Sequence, residues 1–137
     1  MRYLPQAKSG LDLTAIDRQL DCMRARPMGL KSEHAIQSEI MLALSEHGCI
    51  VARTNVGTVR TVDGRLFNAG PPPGWPDVTA IRKADGRAVL VECKNEKGRL
   101  REDQKRFAAA ISGTKVIYGV CRSADDAVKL LEAHKCT

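Results

Sequence analysis

Two carboxylates and an amine dominate the chemistry this chain can offer. Asp77 ends the turn Gly74-Trp75-Pro76-Asp77, and Glu92 and Lys94 close the run Val89-Leu90-Val91-Glu92-Cys93-Lys94. Three apolar residues followed by Glu-x-Lys read as a buried strand finishing in opposite charges. Strand side chains alternate faces, so Glu92 and Lys94 share one with Leu90, while Val89, Val91 and Cys93 take the other. Residues 77–82 and 87–92 are both β-like, and the Asp85-Gly86 between them is a hairpin signal. A two-residue turn there sets Ala84 against Arg87, Thr79 against Glu92 and Asp77 against Lys94. Asp77 and Glu92 are then diagonal neighbours roughly 7–8 Å apart on one face, near enough to share a cation. A four-residue turn keeps this convergence and a three-residue turn reverses it.

Several elements must position that patch. From residue 32 to about 47 the spacing is helical, with Ile36, Ile40, Ala43 and Leu44 as a core stripe and Gly48 as a stop. Glu33 and Gln37 stand one turn apart beside the start of the stripe, candidates to look inward from the helix end. Residues 49–54 read as a strand. A Gly- and Pro-rich excursion follows over 55–74, with Arg60 and Arg65 in a small hairpin around Asp63-Gly64. Such a basic flap suits contact with a phosphate backbone, and equally a plain surface connection.

After Lys94 a polar link leads to a helix over about 100–112, whose stripe is Leu100, Gln104, Phe107, Ala108 and Ile111. Gln104 is the polar member. A buried amide needs partners, so it either reaches the carboxylate patch or sits at the stripe's edge. Residues 115–121 form a strand that a strand-helix-strand connection makes parallel to the Glu92 strand. Ser123-Ala124-Asp125-Asp126 caps a last helix with Ala127, Val128, Leu130 and Leu131 inward. The order implies an α/β domain with a mixed β-sheet flanked by helices. Residues 1–30 form an extension with a short amphipathic helix carrying Ile16, Leu20 and Met23.

Composition narrows the partners. The 137 residues suit one domain, and Lys plus Arg exceed Asp plus Glu by 22 − 16 = 6, a balance that favours a polyanion such as nucleic acid. Five scattered cysteines without a Cys-x-x-Cys pair indicate neither a zinc knuckle nor a disulfide scaffold. No apolar run approaches about 20 residues and no signal-peptide core opens the chain, so no membrane partner is expected. A reducing cytoplasm is the expected compartment.

Glu33 through Gln37 on a first helix, Arg53-Thr54-Asn55-Val56-Gly57, Gly74-Trp75-Pro76-Asp77, Glu92-Cys93-Lys94 and Gln104 together resemble, in order and spacing, the virus-type replication-repair nuclease (VRR-NUC) family, a branch of the PD-(D/E)xK nuclease superfamily. The resemblance covers roughly residues 31–131 and places a nuclease domain at 31–137. It implies a PD-(D/E)xK restriction-endonuclease-like fold and a Mg²⁺-dependent endonuclease, with Mn²⁺ substituting, that acts on branched DNA much as dimeric Holliday-junction resolvases do. The setting is a bacterial or phage-infected cell. Asp77, Glu92 and the Cys93 backbone carbonyl are the implied metal ligands, with Glu33 in direct or water-mediated contact. Lys94 would orient or help deprotonate the attacking water, and Gln104 would position the phosphate or the lysine. Gln37, Arg53, Asn55, Arg60 and Arg65 are the implied DNA contacts. A sequence-specific restriction-type enzyme and a non-cleaving DNA-binding module are the alternatives.

Overall fold

The computed structural model describes residues 29–54 and 57–136. The expected amino-terminal helix and Asn55 lie outside the described residues. The elements are α1 (Glu33–Glu46), β1 (Cys49–Arg53), β2 (Gly57–Arg60), β3 (Leu66–Ala69), β4 (Val78–Arg82), β5 (Ala88–Cys93), α2 (Glu102–Ile111), β6 (Ile117–Cys121) and α3 (Ala124–Ala133).

Helix α1 starts where Ser32, in extended conformation, accepts a hydrogen bond from Ala35 N on its hydroxyl (3.2 Å), satisfying a donor the first turn would leave orphaned. Its buried residues are Ile36, Ile40, Ala43 and Leu44, the predicted stripe. A four-stranded sheet runs β1-β4-β5-β6. The β1/β4 and β4/β5 pairs are antiparallel and β5/β6 is parallel, as the intervening helix requires. This is the mixed sheet with flanking helices read from the sequence.

Strand alternation divides the sheet into two unlike faces. Val78, Ala80, Val89, Val91, Cys93, Ile117 and Cys121 join Ile36, Ile40 and Leu44 of α1 and Ala127 and Leu131 of α3 in one core. Gly119 lies so close to α3 that a Cβ there would meet Leu130 Cδ2 at 2.7 Å. The opposite face presents Leu90, Glu92 and Lys94, and helix α2 lies over it. Only Gln104 of α2 is fully buried, whereas Leu100, Phe107, Ala108 and Ile111 are half-buried. Phe107 anchors the helix, its ring 5.1 Å from Trp75 and 6.3 Å from Tyr118.

The β4/β5 hairpin differs from the expected two-residue turn. Val78 pairs with Val91 and Ile81 with Ala88, and Arg82 N donates to Arg87 O (2.9 Å), which leaves residues 83–86 as a four-residue turn. The physical cause is an ion pair inside the loop. Arg82 Nε and Nη2 donate to the two oxygens of Asp85, whose Oδ1 also accepts from Arg87 N. A tight turn at Asp85-Gly86 would break that arrangement. Moving the register by two residues preserves which face each side chain takes. Extended by one step, it sets Asp77 opposite Glu92 rather than Lys94.

The excursion does contain a second hairpin, β2 with β3, in which Val59 faces Phe67 and Arg60 faces Leu66. It is a separate two-stranded sheet. Its root is fixed at the carboxylate patch, because Thr54 N, just before it, donates to Asp77 O (2.8 Å) just after it.

Candidate active site

Glu92 is the buried centre of the patch, with 1% of its surface exposed. Its Oε1 accepts from Gln104 Nε2 at 2.7 Å and lies 3.4 Å from the Lys94 ammonium. Its Oε2 is buried with no hydrogen-bond partner among the described residues. An unsatisfied buried carboxylate oxygen is costly, and the electrostatics register that cost. Burial pushes the Glu92 carboxyl up to about 7, and the negative charge of Asp77 pushes the same way; Lys94 opposes them. A proton on Glu92 relieves that repulsion. A cation in the proton's place would relieve both charges.

Asp77 is set by its neighbours on three sides. Its Oδ2 accepts from Cys93 N (2.9 Å) across the strands. Behind it, Trp75 Nε1 donates to Thr79 Oγ1 (3.1 Å), which also bonds Thr54 Oγ1 (2.8 Å). Gly74 opens this turn at φ 90, and a Cβ there would strike the Asp103 carbonyl oxygen at 2.5 Å. Only glycine both adopts that conformation without penalty and lets the turn abut α2. The buried thiol of Cys93 belongs to the core, where desolvation raises its pKa and leaves it inert. Its N–H points to Asp77, and its carbonyl projects to the same edge of the strand.

The remaining predicted residues divide. Gln104 carries two duties: besides holding Glu92, its Oε1 accepts from Arg101 N (2.9 Å) and caps α2. Glu33, exposed at the first turn of α1, has Oε1 only 2.8 Å from where a Gly98 Cβ would stand, beside the Lys94 stem. It reaches the rim of the patch. Gln37 is half-buried one turn along. Arg53 turns toward α1, donating from Nη2 to Ser38 Oγ at 3.2 Å. Arg60 and Arg65 are exposed on the β2/β3 hairpin, with Arg65 Nε 3.0 Å from Asp63.

Two groups had not been foreseen. Thr54 and Thr79 join their hydroxyls to each other and to the Trp75 indole, and residues 95–98 form an Asx-type turn in which Asn95 Oδ1 accepts from Lys97 N and Gly98 N. The Asn-x-x-Gly spacing after Lys94 is the signal that announces the latter.

Among the described residues no three His, Cys, Asp or Glu side chains form a ready metal cage. Two facing carboxylates, one with an orphaned oxygen, nevertheless fit a hard divalent cation of the kind that keeps waters and substrate oxygens for most of its shell. A cavity of about 470 Å³ lies at the other end of β4, lined by Arg82, Lys83, Leu131 and Cys136 among others. It holds none of the predicted site residues.

Comparison with known families agrees with this geometry. No curated protein and no solved structure matches the chain, but the family model of the VRR-NUC domain matches residues 31–125, a span that takes in Glu33, Asp77, Glu92, Lys94 and Gln104. That is well over half of the sequence, and the chain belongs to the VRR-NUC domain family, which makes it a nuclease with DNA as its substrate.

Proposed function

We propose that the chain is a Mg²⁺-dependent endonuclease, with Mn²⁺ as a substitute, that hydrolyses phosphodiester bonds in branched DNA in the manner of a Holliday-junction resolvase. The observation that carries this reading is the orphaned Glu92 Oε2 beside Asp77, with Lys94 held at Glu92 Oε1. Asp77, Glu92 and the Cys93 carbonyl would hold the cation, with Glu33 contacting it through water. When bound, such a cation polarises the phosphate and lowers the pKa of a nearby water. Lys94 orients that water as it attacks phosphorus and neutralises charge growing on the phosphate oxygens. Gln104 fixes the Glu92 carboxylate so that one oxygen stays turned to Asp77.

Gln37, Arg53, Asn55, Arg60 and Arg65 would hold the DNA, the last two from the hairpin rooted at Asp77. A homodimer would supply paired incisions for a symmetric junction. The free buried Cys49, Cys93 and Cys121 suit a reducing cytoplasm. No helix among the described residues is long and apolar enough to cross a membrane.

The test is cleavage of a four-way junction, a flap, a single strand and a matched linear duplex, each with Mg²⁺, Mn²⁺ and EDTA. Cutting of the junction alone and only with metal supports the reading. Site-selective cutting of linear duplex would make the chain a restriction-type enzyme, and binding without cutting a DNA-binding module. Asp77→Ala and Lys94→Ala should each abolish metal-dependent cleavage in a folded protein that still binds DNA.

A further inference from the structure

The residues just after Lys94 are held in a way the proposed chemistry does not by itself require. Lys94 N donates to Cys121 O (3.1 Å), so β5 and β6 stay paired up to the lysine. The chain then turns back over residues 95–98. Asn95 closes that turn with its own side chain, Oδ1 accepting from Lys97 N at 3.0 Å and from Gly98 N at 2.7 Å. The main chain closes it too, Gly98 N donating to Asn95 O at 3.1 Å, and each of the two end carbonyls still has room for a second donor. Arg122, the residue after β6, takes both of them: its Nη1 donates to Asn95 O and, at 2.9 Å, to Gly98 O. Arg122 is itself fixed, its N–H donating to Asp126 Oδ2 in the first turn of α3 (2.9 Å).

What the turn touches gives this bond its meaning. A Cβ on Gly98 would stand 2.8 Å from Glu33 Oε1, 3.1 Å from Lys94 Cδ and 3.3 Å from Asn95 Oδ1. The turn is thus the wall on which the Glu33 carboxylate and the Lys94 stem rest. Long side chains have many rotamers; Lys94 is also limited by its burial and its pairing with Glu92, and the turn adds a wall shared with the exposed Glu33.

We propose that Arg122 is a positioning residue, a clamp that holds the 95–98 turn against Glu33 and Lys94 and so fixes both charged groups at the carboxylate patch. The inference rests on the nuclease reading for its kinetic consequence, though not for its structural one. Among the described residues Arg122 makes no hydrogen bond or ion pair to either carboxylate of the patch, and its Nη1 is directed at two main-chain carbonyls. Misplacing a reacting group by about 1 Å can cost roughly 10²-fold in rate, so a clamp of this kind acts on kcat.

The experiment compares the full chain with Arg122→Ala, Arg122→Lys and Gly98→Ala. It measures kcat and KM for junction cleavage, DNA affinity in EDTA, and the Mn²⁺ concentration that half-saturates the thermal shift of the protein alone. Arg122→Ala should lower kcat roughly 10- to 100-fold with KM and metal-free DNA affinity unchanged within about twofold, and should raise the Mn²⁺ midpoint several-fold. Arg122→Lys should recover most of the rate, because an ammonium has donors for both carbonyls. Gly98→Ala should reproduce the rate and Mn²⁺ effects by displacing the Glu33 carboxylate. The Gly98 backbone does not need a positive φ, so alanine there tests the contact and not the conformation. A raised KM with kcat intact would make Arg122 a phosphate contact and overturn the proposal. So would loss of rate matched by a collapsed melting temperature that lysine does not restore. If the parent chain cuts no DNA yet its Mn²⁺ midpoint moves as stated, the nuclease reading falls and the clamp stands.

Discussion

Gln104 reaches Glu92 with one end of its amide and the α2 amino terminus with the other: Nε2 donates to Glu92 Oε1 at 2.7 Å while Oε1 accepts from Arg101 N at 2.9 Å. The orientation of the amide is therefore fixed by the helix, and the helix fixes the carboxylate. Gln104→Leu keeps the volume and removes both bonds. It should lower stability by about 1–3 kcal/mol, the cost of leaving buried groups unsatisfied, and cleavage by one to two orders of magnitude. Urea melts read the first and single-turnover rates the second. A variant that loses stability but cuts at the parental rate would limit Gln104 to a capping role.

Glu92→Gln separates activity from stability. In the metal-free protein the ionised side chain is buried beside Asp77 with one oxygen unpartnered. With its carboxyl pushed up to about 7 from an ordinary 4.5, ionisation above neutral pH costs on the order of 3 kcal/mol at about 1.4 per unit. An amide keeps an acceptor for Gln104 and offers Asp77 a donor where the orphan stood. The expected result is a higher melting temperature than the parent at pH 8 without metal, and no cleavage at any metal concentration. A lower melting temperature would mean that the Lys94 pair outweighs the burial, contrary to the large penalty for desolvating a carboxylate.

The division of the sheet into a core face and a chemical face was legible in the sequence, because alternation in 89–94 leaves no other reading once one face is apolar. So was α1, whose stripe is regular and strongly capped. The turn between β4 and β5 was not. Asp85-Gly86 is a signal for a short hairpin, and what overrides it is the guanidinium of Arg82 three residues earlier, which one-dimensional turn rules do not weigh. The stripe of α2 was legible in phase but not in depth, since coverage depends on how much of the sheet lies beneath. Arg122 was invisible for a different reason: its partners are carbonyls more than twenty residues away, brought near by strand pairing and carrying no side-chain signature.

Asp85 gives the acid side of the stability profile. Its hydrogen bonds from Arg82 are the largest influence on it and hold its carboxyl well below the usual carboxylate range, with the charge of Arg82 adding to the effect. A carboxyl depressed in the folded state binds protons more readily when unfolded. Its stabilisation is therefore complete above the unfolded value of about 4 and fades as the pH falls through the folded one. The buried Arg82 also donates to Leu131 O and His134 O at the end of α3, so losing Asp85 loosens two elements. Asp85→Asn should melt below the parent at pH 7, and the gap should narrow steadily below about pH 4. A gap that stays constant from pH 7 to pH 3 would show that the pair contributes geometry and no charge.

Arg60 and Arg65 carry the last test, which asks whether the hairpin rooted at Asp77 holds DNA. Arg65 is exposed and paired with Asp63 at 3.0 Å. Surface ion pairs of that kind are worth at most about 1 kcal/mol, so a phosphate can displace Asp63 at little cost. Arg60 lies on the other face of the ribbon, opposite Leu66, and has no ion-pair partner among the described residues. Each phosphate contact contributes roughly 0.9 to the slope of log affinity against log salt on duplex DNA. Arg60→Ala/Arg65→Ala should therefore weaken binding in EDTA and flatten that slope by about 1.8, while the melting temperature stays near the parental value because both arginines are exposed on a separate two-stranded sheet. An unchanged slope would remove the hairpin from the DNA interface and leave its exposed apolar residues Val59, Leu66 and Phe67 to another partner.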